Sequence, residues 1–290
     1  MRWRWGAGAL PTVALLTVVL GLAGCKDPGT ITAPPSPGSS TPPAVKGYPT
    51  SMAAIGDSIT VAFGSCLLPT ACRRNSWSTG NGSLVNSHYR RIVRANPAIR
   101  DHASNYAEPS ATSANLLAQA QAAVRSGAGY VTVLIGANDA CRRSIGDMTA
   151  TATFRARVDE ALTLLTTGVP KAMILVVSIP DVYRVWEVGH TNKAAVRVWS
   201  FGVCPSLLTN PTSTAPADTE RRAAFRSRID AYNAQLVAAC AAHRPRCRDD
   251  GGAAHRTAFK ITMLNAEDFF HPNTEGQNEL AKVTWPARFI

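Results

Sequence analysis

From about residue 49 onward, short apolar runs alternate with helical patterns, and this alternation restricts the chain more than any other feature of it. Residues 51–55 read as a first strand and residues 103–106 as a short second one. Residues 130–135 and 172–179 are nearly continuous apolar runs, as strands covered on both faces require, and Pro180 stops the latter. Residues 259–264 read as a last strand. Helical patterns occupy 86–95, 113–125 with Ser113 as its cap, 151–167, 216–243 and 274–283. In the longest of these, Phe225, Ile229, Tyr232, Leu236 and Cys240 recur every three or four residues along one face. Strands and helices in this alternation predict a parallel sheet with helices on both faces, an α/β architecture. Sites in such sheets lie beyond the carboxyl ends of the strands. Ser58, Asn138 and Asp181 each follow a predicted strand closely and are expected to meet there. The connection 181–215 is long and holds Tyr183, Trp186, Trp199 and Phe201. It is either a cap over a binding site or a packed subdomain pinned by Cys204.

The first 48 residues stand apart from this pattern. Arg2 and Arg4 precede an apolar run over 10–23, shorter than a membrane span, that ends in Leu22-Ala23-Gly24-Cys25. This is the layout of a secretory signal. Its last four residues resemble the lipobox of bacterial lipoproteins, which implies cleavage before Cys25 and a diacylglyceryl group on its sulfur. An ordinary signal peptide with a chance cysteine is the alternative. Arg2-Trp3-Arg4 is not a twin-arginine pair. Residues 26–48 are rich in Pro, Ser, Thr and Gly, with Pro34-Pro35, Pro37 and Pro42-Pro43. They read as an extended tether that could span roughly 70 Å at about 3.1 Å per residue. The expected organisation is a leader over 1–24, a tether over 25–48 and one domain over 49–290. With 46% hydrophobic and 17% charged residues, such a domain can bury a core.

Besides Cys25 the chain holds Cys66, Cys72, Cys141, Cys204, Cys240 and Cys247. An even number in an exported chain suggests three disulfides. The short spacings favour Cys66 with Cys72 and Cys240 with Cys247, which leaves Cys141 for Cys204. A zinc site is the weaker rival, because neither a C-x-x-C pair nor an H-E-x-x-H helix occurs. Net charge is +11, and removing the leader with its two arginines leaves +9. The basic residues are mostly arginine and are scattered. Such a surface suits anionic phospholipid or cell-wall polymer, or it serves solubility alone. No nucleic-acid motif accompanies it, so nucleic acid is not expected as a partner.

Four runs carry candidate chemistry. In Gly56-Asp57-Ser58-Ile59, Gly tolerates unusual backbone angles and Asp can accept nearby amides, as a sharp strand-to-helix turn requires. A serine hydroxyl there needs an adjacent base to act as a nucleophile. Asp268-Phe269-Phe270-His271 supplies a histidine and, three residues before it, a carboxylate to orient the ring. Pro272 and Asn273 suggest a turn into the terminal helix. Gly136-Ala137-Asn138-Asp139 places the Asn138 amide after a buried strand, where it can donate to a developing oxyanion, with Asp139 in a structural role. The fourth run is Asn105-Tyr106-Ala107-Glu108-Pro109-Ser110-Ala111. The Gly-x-Ser-x-Gly elbow is absent, since Thr60 stands where its second glycine belongs.

Taken in chain order, 56–59, 105–111, 136–139 and 268–271, over residues 52–285, the runs resemble the blocks of secreted actinobacterial SGNH (GDSL-like) hydrolases, with Ile59 where the first block usually has Leu. The resemblance implies a flavodoxin-like three-layer α/β/α sandwich around a parallel sheet. It implies Ser58 as nucleophile, His271 as base and Asp268 as the group that orients it. The implied oxyanion hole is the backbone N–H of Ser58, the N–H of Ser110 and the side chain of Asn138, with no metal or cofactor. The family usually has glycine where Ser110 stands. A backbone donor survives the change, but a positive φ at Ser110 would cost about 1 kcal/mol, unless the register differs by one residue. The expected function is that of an exported serine esterase of lipase type, a monomer, lipid-anchored outside the bacterial cell membrane or secreted. It would act on ester small molecules, lipids or glycans, and Trp186, Trp199 and Phe201 suit acyl lipids. The alternatives are a carbohydrate O-acetyl esterase of the envelope and a noncatalytic envelope-binding lipoprotein that keeps the fold.

Overall fold

A computed structural model describes residues 42–66 and 68–289 of the chain. The expected leader, its cleavage site, lipidation at Cys25 and the tether as far as residue 41 lie outside the described residues. Strands β1 (Met52–Gly56), β2 (Ala103–Asn105), β3 (Tyr130–Leu134), β4 (Met173–Val176) and β5 (Cys247–Asp249) form one sheet in the order β2-β1-β3-β4-β5. Every pairing is parallel. The central strands β1, β3 and β4 are buried throughout, which explains their nearly continuous apolar sequences.

The helices are α1 (His88–Ala95), α2 (Leu116–Arg125), α3 (Ala137–Ala140), α4 (Thr151–Gly168), α5 (Tyr183–Gly189), α6 (Lys193–Trp199), α7 (Pro205–Leu208), α8 (Pro216–Ala242) and α9 (Thr274–Val283). Helix α4 packs on both α2 and α8, and α2 and α8 pack on strands. On the other face, Tyr130 of β3 meets His88 of α1, and the same imidazole bonds Thr284 just after α9. His88 is fully buried between Trp77 and Trp285, and burial pushes it down to about 3, so it is a neutral part of the core. Packing reaches back to Val45, whose N–H donates to Asn96 at 3.0 Å, and to Tyr48, whose ring lies against Phe289.

Several local expectations need correction. Residues 259–264 do not form the last strand. They contain a single 3₁₀ turn, Ile261–Met263, and Leu264 makes only an isolated antiparallel bridge to Pro272. The sheet edge is taken by β5, because the Cys240–Cys247 disulfide turns the chain from the end of α8 straight back onto β4. The cap of the 113–125 helix is Thr112, whose hydroxyl accepts from Ala114, while Ser113 is spent on Asp139. The chain after Ser58 runs through hydrogen-bonded turns and not a regular helix. The cysteines pair as Cys66–Cys72, Cys141–Cys204 and Cys240–Cys247.

Candidate active site

The strand order changes direction between β1 and β3, and the chain after those two strands opens the crevice where such sheets bind ligands. Gly56 closes β1 at φ +147, where a Cβ would lie 2.1 Å from the Leu134 carbonyl oxygen; only glycine fits there. The Gln119 side chain of α2 clamps this glycine, accepting its N–H at 2.7 Å and donating to its carbonyl at 3.0 Å. Asp57 then folds the turn by accepting the Ile59 N–H at 2.9 Å on Oδ1. Its other oxygen has no hydrogen-bond partner among the described residues. Complete burial, reinforced by the charge of Asp139, pushes the Asp57 carboxyl up to about 7.

Ser58 sits at the tip of this turn. Its Oγ is 2.9 Å from His271 Nε2, and His271 Nδ1 is 2.7 Å from Asp268 Oδ2. With Nδ1–H donating to the carboxylate, Nε2 carries the lone pair and accepts from the serine hydroxyl. Asp268 also holds the turn itself, since its Oδ1 accepts the N–H groups of Phe270 at 2.8 Å and His271 at 3.0 Å. The intervening Phe269 is strained at φ +49. His271 is fixed from three sides. Its carbonyl accepts the Asn265 N–H at 2.8 Å, its ring packs on Phe63, and Asn273 caps α9 immediately after it.

Asn138 lies on α3, just past β3, and donates to the Ala111 carbonyl at 2.9 Å. Its nitrogen keeps a second hydrogen for the crevice. Asp139 next to it accepts the Ser113 N–H at 2.8 Å and the Ser113 hydroxyl at 2.6 Å. Two consecutive residues of α3 therefore grip the segment 111–113 and set the position of Ser110 before it. Ser110 adopts φ +62, the left-handed conformation that favours glycine. Among the described residues, neither the Ser110 N–H nor the Ser58 N–H has a protein acceptor.

These groups border a pocket lined by Ser58, Asn138 and His271 and walled mainly by Ile59, Val182, Val185, Phe259, Leu264 and Phe270. Asp181 is also on the wall. Arg226 is 3.4 Å from one of its oxygens, the other is buried without a partner, and burial raises the carboxyl above the ordinary range. Thus Ser58, Asn138 and Asp181 meet as their positions after strands predict. The 181–215 connection plays both expected parts: Val182 and Val185 face the pocket, whereas Trp199 is buried and Trp186 donates to the Pro211 carbonyl. Sequence reasoning missed the apolar wall, the Gln119 clamp and Gln277, which accepts the Trp77 N–H at 2.9 Å and donates to the Ile59 carbonyl at 2.9 Å. Among the described residues, no cluster of His, Cys, Asp and Glu has the arrangement of a metal site.

The model of the GDSL-like lipase/acylhydrolase family matches residues 54–278. A search of the curated proteins finds no match. Similar solved structures include a lipase from a goat rumen metagenome, 12% identical with a TM-score of 0.49, over 80% of this chain and 94% of that one. A phospholipase A1 from Streptomyces albidoflavus NA297 is 18% identical with a TM-score of 0.47, over 80% and 97%. An extracellular lipase from Streptomyces rimosus is 18% identical with a TM-score of 0.43, over 80% and 97%.

Proposed function

Since the chain belongs to the GDSL-like lipase/acylhydrolase family, and so is a hydrolase of esterase and lipase type, we propose that it is an exported serine esterase working through an acyl-enzyme on Ser58. The observation that carries this reading is the unbroken relay from Ser58 Oγ to His271 at 2.9 Å and from His271 to Asp268 at 2.7 Å, at the mouth of an apolar pocket. Ser58 Oγ attacks the ester carbonyl as His271 Nε2 takes its proton, and Asp268 stabilises the imidazolium. The N–H groups of Ser58 and Ser110 and the amide of Asn138 receive the oxyanion. The intermediate collapses, His271 gives the proton to the leaving alcohol, and the acyl group stays on Ser58. Water, deprotonated by His271, then attacks the acyl carbonyl. The second intermediate expels Ser58, which recovers its proton from His271, and the acid departs.

The pocket wall of Ile59, Val182, Val185, Phe259, Leu264 and Phe270 supports an acyl chain longer than acetyl, which favours lipase-type esters over sugar acetates. Export rests on the leader-like first 24 residues and on the three disulfides. Anchoring at Cys25 rests on the lipobox-like run alone. No helix among the described residues is long and apolar enough to cross a membrane. The test is hydrolysis of p-nitrophenyl esters from acetyl to long acyl, with Ser58→Ala beside the wild type. Turnover that rises beyond acetyl and disappears in the variant is expected. An optimum confined to acetyl moves the reading to deacetylation, and activity undiminished in Ser58→Ala removes the mechanism.

A further inference from the structure

Phe201 is the most exposed large apolar side chain among the described residues, at 82%. It stands on a tip between α6 and α7. Cys204, at the start of α7, is bonded to Cys141 at the end of α3. Beside the disulfide, Ser206 accepts the Arg142 N–H at 3.1 Å, donates to the Ala140 carbonyl at 2.7 Å, and gives its own N–H to the Arg142 carbonyl at 2.9 Å. Trp199 is buried two residues before Phe201, and its ring lies so close to Gly189 that a Cβ there would be 2.3 Å away. The backbone under Phe201 is thus anchored on both sides.

The stretch of chain that carries the tip has cations and no anions. No Asp or Glu occurs between Glu187 and Asp218. Arg197 lies one helical turn before Phe201, and Arg142 and Arg143 lie across the disulfide from it. None of these three guanidinium groups forms an ion pair among the described residues, whereas other arginines of the same region, Arg184 and Arg221, do. A rigid exposed aromatic beside unpaired cations suits a boundary between water and acyl chains under a negatively charged surface.

We infer that the Phe201 tip, with Arg142, Arg143 and Arg197, is a docking element for an anionic lipid surface. Phe201 enters the headgroup boundary and the arginines meet the phosphates. Because the disulfide joins the tip to the helix that carries Asn138, a docked tip would hold the crevice in a fixed relation to the lipid. This inference concerns attachment and stands apart from the chemistry at Ser58.

Full-length protein carrying Phe201→Trp tests it, with the emission of the wild type subtracted so that residue 201 alone is read. Vesicles of phosphatidylglycerol brominated in the acyl chains should blue-shift and quench the added emission. Vesicles of phosphatidylcholine with the same chains should require at least about tenfold more lipid. Each cation near the surface contributes about a fivefold factor, so Arg142→Glu, Arg143→Glu and Arg197→Glu together, which remove three cations and add three anions, should raise the lipid needed for half-quenching at least about a hundredfold. In sedimentation, Phe201→Ser should weaken phosphatidylglycerol binding about tenfold. All variants should hydrolyse soluble p-nitrophenyl butyrate within twofold of wild type, which separates this test from that of the esterase reading. Added emission unaffected by phosphatidylglycerol overturns the inference, as does quenching that is equal on both lipids and indifferent to charge reversal. A tip that binds soluble polyphosphate but is not quenched by brominated lipid assigns the cations to a polyanion and also overturns it.

Discussion

Replacing Asp268 with asparagine should stop turnover while leaving the fold almost intact. The wild-type carboxylate does two separable jobs: Oδ2 receives His271 Nδ1 at 2.7 Å, and Oδ1 receives the Phe270 and His271 N–H groups at 2.8 and 3.0 Å. An amide keeps the second job with its oxygen. Its NH₂ then faces Nδ1 and forces that nitrogen to accept, which puts the ring proton on Nε2, against Ser58. The base is occupied and cannot take the serine proton. The loss should be about 10⁴-fold in kcat, or about 5.5 kcal/mol of transition-state stabilisation. Stability should fall by only about 1 kcal/mol, the charge-assisted part of two retained hydrogen bonds. Asp268→Ala removes both jobs. Its activity should fall at least about 10³-fold, and its stability by about 2–3 kcal/mol, since two part-buried N–H groups lose their acceptor beside the strained Phe269. Turnover of p-nitrophenyl butyrate and urea unfolding, measured on the same preparations, read the two effects. Asp268→Asn that keeps more than a tenth of wild-type kcat, or that unfolds as easily as Asp268→Ala, would refute the reasoning.

Asn138→Ala should lower kcat about 10²- to 10³-fold in the same assay, the range for one oxyanion donor, with about 1 kcal/mol of stability lost from its bond to Ala111; a loss confined to stability would make Asn138 a structural residue only. Asp57→Asn should change how stability depends on pH. With Asp57 raised from 3.8 to about 7 by burial, the folded protein holds a proton that the unfolded chain has released, so wild-type stability declines as pH rises through that window and the contribution is level above about 7. The stability of Asp57→Asn relative to wild type, from urea melts, should therefore grow by about 4 kcal/mol from pH 3.8 to 7, and a difference independent of pH would show that Asp57 ionises freely. Ser110→Gly should stabilise the protein by about 0.5–1 kcal/mol, because relief of a left-handed serine outweighs the added entropy of the unfolded glycine, while kcat stays within threefold; a destabilised variant would contradict the φ of +62.

The parts of the site that the sequence displays are those built from local geometry. Gly56-Asp57-Ser58 and Asp268 to His271 are each a turn whose residues act on neighbours two or three positions away, so each run is compact enough to recognise, and the four runs together, with the family they resemble, suggest their roles. The buried strands announce themselves by being almost wholly apolar, because both faces are covered. Contacts between distant residues leave no such trace. Gln119 bonds Gly56 across 63 positions, and Gln277 reaches Ile59 across 218, yet each is an ordinary glutamine in a helix. The pocket wall gathers Ile59, Val185 and Phe259 from three regions of the chain, and each looks like core in isolation. Strand β5 was hidden for another reason. Three residues, Cys247-Arg248-Asp249, at a sheet edge need no apolar alternation once a disulfide and β4 hold them. By contrast Phe259 and Leu264 are apolar because they line the pocket and pack beneath it, and their pattern imitates a strand. Ser110 lies between these cases. The departure from glycine is visible in the sequence, and only the backbone shows that the left-handed conformation is kept.

The most direct measurement is covalent labelling with a fluorophosphonate, followed by peptide mass analysis and parallel turnover on p-nitrophenyl butyrate. Turnover should be lost in step with incorporation of one label per chain, located on Ser58, and Ser58→Ala should neither label nor turn over. Active protein that takes no label, or a label on another residue with turnover intact, would contradict a nucleophilic Ser58.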